Sequence, residues 1–338
     1  NQYPRAELGR RTGLSRVAVS DVVGQMLEEG LLRETGQAPS GGKGKRGTLL
    51  SIDIDRLRII SIDLTQEHLL HGAVTNLLAQ PLRHAEVTLN TGSFVSVDVI
   101  IELIEKMLGM SDGEVIGIGV SSPGVVDNGV VRSSTMRGWN NLDLSTPIAE
   151  HFGLEVNVSN DVTAAMLTER FFGQGGPNML FVRIERGIGS AILLSDTPVI
   201  GELHAAGEIG HIPVEPHRLK CPCGQYGCLE TVCSGASVGR LWPNADPPMP
   251  DLIRRAKKRE AEAVDVLDMV VRAIGDTIQI LAQSVDPRLI VLGGGMAKTG
   301  EPLVEVITAE LRRRESQCRF LETLDLPARL RLAPVDQP

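Results

Sequence analysis

Three of the five cysteines lie in one short segment, and a histidine precedes them. The segment contains His211, Cys221, Cys223 and Cys228, with glycines between the sulfurs. Thiolates and imidazole are the ligands that Zn²⁺ prefers, and four of them close a tetrahedral site with no open position. A disulfide is disfavoured because an i,i+2 pair is strained and the chain shows no secretory signal. A coincidental cluster is the other alternative; the pattern predicts a structural zinc ion.

Charge is distributed unevenly along the 338 residues. The first 50 residues carry a net charge of +3 and the remainder −11. We call residues 1–50 the head and the remainder the body. A small basic head on an acidic body favours a module that binds nucleic acid, joined to a part that does not. No run of about 18 apolar residues and no signal-like segment is present, so we expect a cytoplasmic protein with no membrane partner. Because the sequence does not begin with Met, we expect a fragment or a processed chain.

The head reads as two helices and a turn. Residues 5–11 predict a short helix, Gly13 a turn, and Ser15 the N-cap of a second helix that runs to about Glu29. One apolar stripe at helical spacing is formed by Val19, Val22, Val23, Met26 and Leu27. This is the arrangement of a helix-turn-helix, whose second helix enters the major groove N-terminus first.

A glycine-rich basic segment, residues 36–47, precedes a strand-like stretch at 48–52. A hairpin with a basic tip is typical of the wing of a winged helix, which normally has another helix before the pair; we expect that helix to be missing here. A small helical domain with a disordered linker is the alternative. The predicted DNA contacts are Ser15, Arg16, Val17, Ser20, Lys43, Lys45 and Arg46.

The body, from residue 51 onward, predicts an α/β fold. Apolar strands, such as those at residues 114–120 and 289–292, end in glycine-rich turns and alternate with amphipathic helices. In α/β sheets, turns at the carboxyl ends of strands provide the ligand crevice.

Several motifs occur in a fixed order: Asn160-Asp161, Gly-Glu-Ile-Gly-His ending at His211, the cysteine segment, and Gly-Gly-Gly ending at Gly295. Together with the head they resemble the ROK (repressor, ORF, kinase) family of sugar kinases and sugar-responsive repressors. The resemblance implies an actin/hexokinase-like (ribonuclease H-like) two-lobed body. The predicted domains are a winged helix-turn-helix at 1–52, an N-terminal α/β lobe at 53–160 and a C-terminal α/β lobe with the zinc loop at 161–338. The family would continue past residue 338 with a further helix.

The resemblance also implies a sugar site. A sugar needs carboxylates and amides that pair with its hydroxyls. Carried over from the family, Asn160 and Asp161 would hold one side of the sugar, and Glu208, His211 and Glu230 the anomeric end. His211 would use one ring nitrogen for zinc and face the sugar with its other side. Each residue also has an ordinary alternative: a helix cap, a solvated charge, or a zinc ligand without a sugar role.

Two phosphate loops of ROK kinases are altered here. Residues 63–67 lack the glycine of Asp-x-Gly-x-Thr, and Glu185-Arg186 replaces Gly-Thr in Gly-Thr-Gly-Ile-Gly. We therefore expect a non-enzymatic sugar sensor in which Asp161, the family's general base, only forms hydrogen bonds. The predicted function is a sugar-responsive regulator, most simply a repressor, that acts on operator DNA as a homodimer or homotetramer. A sugar kinase with a DNA-binding head is the alternative, and a zinc-stabilised scaffold for a protein partner is a third.

Overall fold

The computed structural model describes residues 2–39, 46–90, 94–214 and 219–334. Two helices joined by a short turn lie near the start of the described chain. Helix α1 (Arg5–Thr12) follows a short strand, β1 (Tyr3–Pro4), and ends at Gly13, whose φ is 71°. A residue with a side chain would be strained in that left-handed conformation. Helix α2 (Arg16–Glu28) begins after Ser15, whose hydroxyl accepts a hydrogen bond from the Ala18 N–H at 3.2 Å.

A three-stranded antiparallel sheet follows the helix pair. Strands β2 (Leu32–Gln37) and β3 (Thr48–Ile52) form a hairpin, and β1 pairs with the other edge of β3. Val19 and Val23 of α2 pack against Leu50 of β3. The predicted stripe was wrong at Val22, which is 48% exposed, because the small core covers only the side of α2 that carries Val19 and Val23. Lys43 and Lys45 lie outside the described residues.

The chain's contacts divide it into two units. One comprises Asn1–Val120 with Pro147–Asn157, and the other Ser121–Thr146 with Val158–Gln337. The boundaries predicted at residues 52 and 160 stay a prediction. Among the described residues, no helix is both long and apolar enough to span a membrane.

The sheet of the first unit has the strand order β11-β7-β4-β5-β6. Its strands and neighbouring helices are β4 (Leu57–Gln66), β5 (Leu69–Thr75), β6 (Pro81–Thr88), α3 (Val97–Met110), β7 (Glu114–Ser122), α4 (Ser145–Phe152) and β11 (Glu155–Asn160). Helix α3 buries Ile100, Leu103, Ile104 and Met107. It approaches β5 closely at Gly72, where a Cβ would stand 2.9 Å from Met107.

A small sheet, β10-β9-β8, belongs to the second unit and was not predicted. Its strands are β8 (Val125–Asp127), β9 (Val130–Ser134) and β10 (Trp139–Asp143). They are short and rich in polar residues, so they lack the apolar alternation by which strands are identified from sequence. Trp139 and Val131 are nevertheless buried in this part of the fold.

The larger sheet of the second unit is mixed, with the order β14-β13-β12-β15-β16. The elements are α5 (Asp161–Phe172), β12 (Met179–Ile184), β13 (Ile188–Leu194), β14 (Thr197–Pro198), α6 (Glu230–Cys233), α7 (Gly235–Leu241), α8 (Pro248–Lys257), α9 (Ala261–Val285), β15 (Leu289–Gly293), α10 (Glu301–Glu315), α11 (Arg319–Leu324), α12 (Leu326–Arg329) and β16 (Leu330–Leu332). Strands β12, β15 and β16 are parallel, whereas β13 runs antiparallel to β12. The two mixed sheets and their helices confirm the predicted α/β class.

Candidate functional site

The four predicted metal ligands meet in one cluster. One donor atom each from His211, Cys221, Cys223 and Cys228 lies within 4.8 Å of the other three. Nδ1 of His211 is 3.7 Å from Sγ of Cys221, and the sulfurs of Cys223 and Cys228 are also 3.7 Å apart. A tetrahedral zinc ion with Zn–S bonds of about 2.3 Å requires ligand separations of about 3.8 Å. The donor set and its spacing therefore fit a structural zinc ion.

Backbone hydrogen bonds fold the cysteine loop back on itself. The Cys221 N–H donates to the Gln225 carbonyl at 2.8 Å, and the Gly227 N–H donates to the Leu219 carbonyl at 2.8 Å. Gly224 and Gly227 have φ values of 99° and 76°. These left-handed conformations turn the chain tightly enough to point its sulfurs inward, which explains the glycines between the cysteines.

Burial affects the protonation of the sulfurs. Desolvation raises the pKa of the Cys228 thiol to about 12, and it raises the pKa of Cys221 as well. A divalent cation would supply the positive charge that keeps such sulfurs as thiolates at neutral pH.

Three predicted sugar-binding acids converge beside the histidine of this cluster. Desolvation raises the pKa of Glu208, the nearby His211 lowers it, and the charges of Asp161 and Glu230 raise it further. Glu230 also lies against Gly187, where a Cβ would stand 2.8 Å from its Oε2. Acids that repel one another at close range are stabilised by hydroxyl donors, and a sugar presents several.

Glycines bring this segment onto strand β13. A Cβ on Gly207, whose φ is 97°, would stand 2.0 Å from the Ser190 carbonyl oxygen, and one on Gly210 would stand 2.4 Å from that of Ile188. Ser190 binds the same segment, because its N–H donates to the Gly207 carbonyl at 2.9 Å. The two glycines of Gly-Glu-Ile-Gly-His thus permit the close approach that positions Glu208.

Asn160 is fully engaged within the protein. Its Oδ1 caps α5 by accepting from the N–H groups of Val162 and Thr163, at 2.9 and 3.1 Å. Its Nδ2 donates to the Gly124 carbonyl at 2.9 Å and to Asp161 at 3.2 Å. The structure therefore gives Asn160 the role of a helix cap, and any contact with a ligand would require one of these bonds to be exchanged.

Asp161 has a partner that sequence reasoning missed. Its carboxylate forms an ion pair with Arg183, and both side chains are largely buried. The signal was present in the sequence, since Arg183 is the one charged residue of the otherwise apolar strand β12. A guanidinium in this position neutralises a carboxylate without any ligand.

The second phosphate-loop region is held by internal hydrogen bonds. Arg183 pairs with Gly293 in the parallel register of β12 and β15, which brings Glu185 beside Gly295 two residues further along each strand. The Glu185 carboxylate accepts the Gly295 N–H. The Glu185 carbonyl accepts the Gly235 N–H at 2.7 Å. Two backbone N–H groups near this turn, those of Gly295 and Gly235, thus donate to Glu185.

The first altered loop has a similar local arrangement. Oδ1 of Asp63 accepts the N–H of Thr65 at 2.9 Å, and the pairing of β4 with β5 is irregular between Asp63 and Gln66. The carboxylate therefore organises its own turn.

Of the predicted DNA-contacting residues that the structure describes, four lie at the start of α2 and Arg46 lies just before β3. Arg16, Val17 and Ser20 are exposed, and so is Arg46. Ser15 caps the helix with its hydroxyl, so its side chain has a structural role.

Residues 60–321 match the model of the ROK family. The putative xylose repressor of Caldicellulosiruptor sp. (strain Rt8B.4) is 26% identical over 334 residues, which cover 91% of this chain and 82% of that protein. The N-acetylglucosamine repressor of Escherichia coli O157:H7 is 27% identical over 326 residues, covering 90% and 79%. A glucokinase of Halalkalibacterium halodurans is 30% identical over 240 residues, covering 64% and 73%.

Among solved structures, a ROK family transcriptional regulator, homologous to the E. coli MLC protein, superposes with a TM-score of 0.79 at 24% identity. The match covers 98% of this chain and 87% of that one. A ROK glucokinase from Streptomyces griseus gives a TM-score of 0.63 at 25% identity, and the match covers 76% of this chain and 89% of that one. The predicted actin/hexokinase-like α/β body is confirmed, and the regulator matches more of this chain than the glucokinase does.

Removing one sulfur should weaken metal binding. We expect one zinc ion per chain in the reduced wild-type protein, measured by plasma mass spectrometry. In Cys223→Ser the zinc content should fall well below that value. The thermal midpoint should fall by several degrees, because an ion at 100 times its Kd stabilises the fold by about 2.7 kcal/mol. The control is Cys318→Ser, since Cys318 is exposed and outside the cluster. Full zinc content in Cys223→Ser, or none in the wild-type protein, would contradict this assignment.

Adding one methyl group at Gly207 should destabilise the site. Gly207→Ala places a Cβ against the Ser190 carbonyl at a positive φ, so we expect a loss of about 2–4 kcal/mol of unfolding free energy. Gly239→Ala is the matched control: this glycine is in helix α7 with nothing within 4 Å of a new Cβ. It should be neutral or stabilising by up to about 1 kcal/mol. Equal urea midpoints for the two variants would refute the close-approach argument.

Proposed function

Since the chain belongs to the ROK family, we propose that it is a sugar-responsive transcriptional regulator, most simply a repressor. Its head would bind operator DNA, and the acidic cluster of its second unit would bind the sugar. The observation that carries the proposal is a contrast within this unit. Asp161, Glu208 and Glu230 lie close enough to affect one another's charge, as a site for several hydroxyls requires, while the Gly295 N–H beside the altered phosphate loop already donates to Glu185.

The head supports DNA binding through its geometry. In a helix-turn-helix the second helix enters the major groove with its N-terminal end first, and Arg16, Val17 and Ser20 are exposed at that end of α2. Lys43, Lys45 and Arg46, in the basic segment of the sequence before β3, would contact phosphates. Two heads in a homodimer or homotetramer would read a two-fold symmetric operator, and such a regulator would act in the cytoplasm with the DNA.

The acidic cluster supports a carbohydrate effector. Asp161, Glu208 and Glu230 offer acceptors for several hydroxyl groups, and His211 joins them to the metal cluster. Zinc in that cluster would hold the loop that carries His211, so that the site is ordered before the sugar arrives.

Two side chains support a sensor rather than a kinase. The Glu185 carboxylate occupies the N–H of Gly295, a donor that a phosphate would otherwise attract. Arg183 holds the carboxylate of Asp161 in an ion pair, and a general base must instead be available to the proton that it abstracts. We therefore propose that the chain does not transfer phosphate.

A sugar can regulate DNA binding only through a difference in affinity. It must bind more tightly to the state of the protein that binds the operator poorly, and by linkage the operator then weakens sugar binding by the same factor. An activator would have the opposite preference.

A sugar kinase with a DNA-binding head is the second candidate. The similarity to the glucokinase of Halalkalibacterium halodurans, at 30% identity, favours it.

The regulator is tested by a mobility shift on the DNA upstream of its own gene, titrated with hexoses and amino sugars. We expect a salt-dependent shift that one sugar reverses. Glu230→Gln should still bind the DNA but need about tenfold more sugar, since a hydrogen bond to a charged group contributes about 1.5–3 kcal/mol. The control is Glu262→Gln, an exposed acid at the start of α9. A wild-type protein that shifts none of this DNA would argue against the regulator and favour a scaffold.

The kinase is tested by coupled detection of ADP. With zinc-loaded protein, Mg-ATP and the same sugar panel, we expect no sugar-dependent ADP release above background, because the Glu185 carboxylate already takes the Gly295 N–H and would repel phosphate. A ROK glucokinase assayed in parallel gives the positive control. Sugar-dependent turnover with a phosphorylated product would overturn the sensor proposal.

A further inference from the structure

Helix α2 presents an apolar side chain to solvent beside its N-terminal end. Val17 is 69% exposed and takes no part in the core of the head, which Val19, Val23 and Leu50 form. Helical spacing places Asp21 on the same side, one turn later, and Gly24 after a second turn. The place where a Cβ of Gly24 would stand is open. This side of α2 is therefore free to meet another surface closely.

Basic residues lie on both sides, along the chain, of the turn that precedes Val17. Arg16 precedes it and is exposed, and the last turn of α1 carries Arg10 and Arg11. Arg11 lies over the ring of Tyr3, at 4.5 Å from its centroid, and Arg10 pairs with Glu7. Arginines next to an exposed valine in the chain suit a partner that carries phosphates at its rim and an apolar group inside.

The major groove of DNA has that combination. Among the base edges exposed in the groove, only thymine presents a methyl group, and apolar side chains that contact this methyl distinguish thymine from the other bases. Asp21 does not oppose this fit, because a carboxylate in the groove accepts the amino group of cytosine.

We propose that Val17 is a specificity-determining residue that contacts the 5-methyl group of a thymine in each operator half-site. This inference rests on the proposed DNA-binding function and goes further by naming the base and the chemical group that is read. Ser15 does not supply this apolar contact, since its side chain is a hydroxyl that caps the helix.

The test removes the methyl group from the DNA and the side chain from the protein. In an operator fragment that the wild-type protein shifts, each thymine is replaced singly by deoxyuridine, which lacks the methyl but keeps the same hydrogen-bonding groups. We expect one position per half-site at which wild-type affinity falls about three- to fivefold, as for the loss of one buried methyl. The affinity of Val17→Ala for thymine-containing DNA should be lower than that of the wild type by the same factor. Deoxyuridine at that position should not weaken its binding further.

Val22→Ala is the matched control. Val22 is also exposed, at 48%, but lies about 140° further around the helix from Val17. It should keep the wild-type response to every deoxyuridine. Both substitutions change exposed positions to the strongest helix former, so both variants should fold, with thermal midpoints close to that of the wild type.

The outcomes separate the two proposals. If the wild-type protein shifts the fragment but no deoxyuridine weakens binding, or if Val17→Ala retains the wild-type sensitivity, the thymine contact is wrong and DNA binding stands. If the wild-type protein shifts no DNA, both fall. Loss of sensitivity in Val17→Ala alone establishes the contact.

Discussion

The close approach of residues 207–211 to strand β13 is the constraint on which the candidate site depends. Neither Gly207 nor Gly210 has room for a Cβ against the backbone of β13. The same five residues carry Glu208 toward the other acids and His211 toward the sulfurs. One backbone segment therefore sets the geometry of both clusters, and a displacement of this segment would disturb the two together.

This coupling explains how a metal could serve a ligand site without entering its chemistry. The described residues of the cysteine loop form isolated β-bridges, and their backbone hydrogen bonds mostly join one part of the loop to another. A zinc ion at the sulfurs would fix the ring of His211 by coordinating one of its nitrogens, and the histidine would then face Glu208 in a defined orientation. Structural zinc contributes directly to folding. The free energy of metal binding would thus offset the entropic cost of ordering the loop before any sugar binds.

Local sequence patterns could predict the parts of the site that depend on neighbouring residues. The metal ligands fall close together in the chain, and ligand chemistry alone identifies them. The turn glycines and the Ser15 cap are likewise local. Arg183 and Asp161, however, meet across 22 positions, and Glu185 meets Gly295 across 110. The Glu185 contact follows from the parallel register of β12 and β15, and the Arg183 contact from the packing of α5 against β12; no spacing in the sequence reveals either. The exposure of Val22 was not predicted for a related reason. Periodicity gives the apolar side of a helix but not the width of the core that covers it.

The two long-range contacts have a common physical meaning. Glu185 brings a carboxylate to a backbone donor of the kind that receives phosphate in related folds, and Arg183 brings a guanidinium to the carboxylate that would act on a substrate. Under the proposed function, each contact supplies from within the chain a charged partner that a bound ligand could otherwise provide. The free energy of sugar binding then does not stabilise a transition state. It can instead shift the equilibrium between the state that binds DNA and the state that does not.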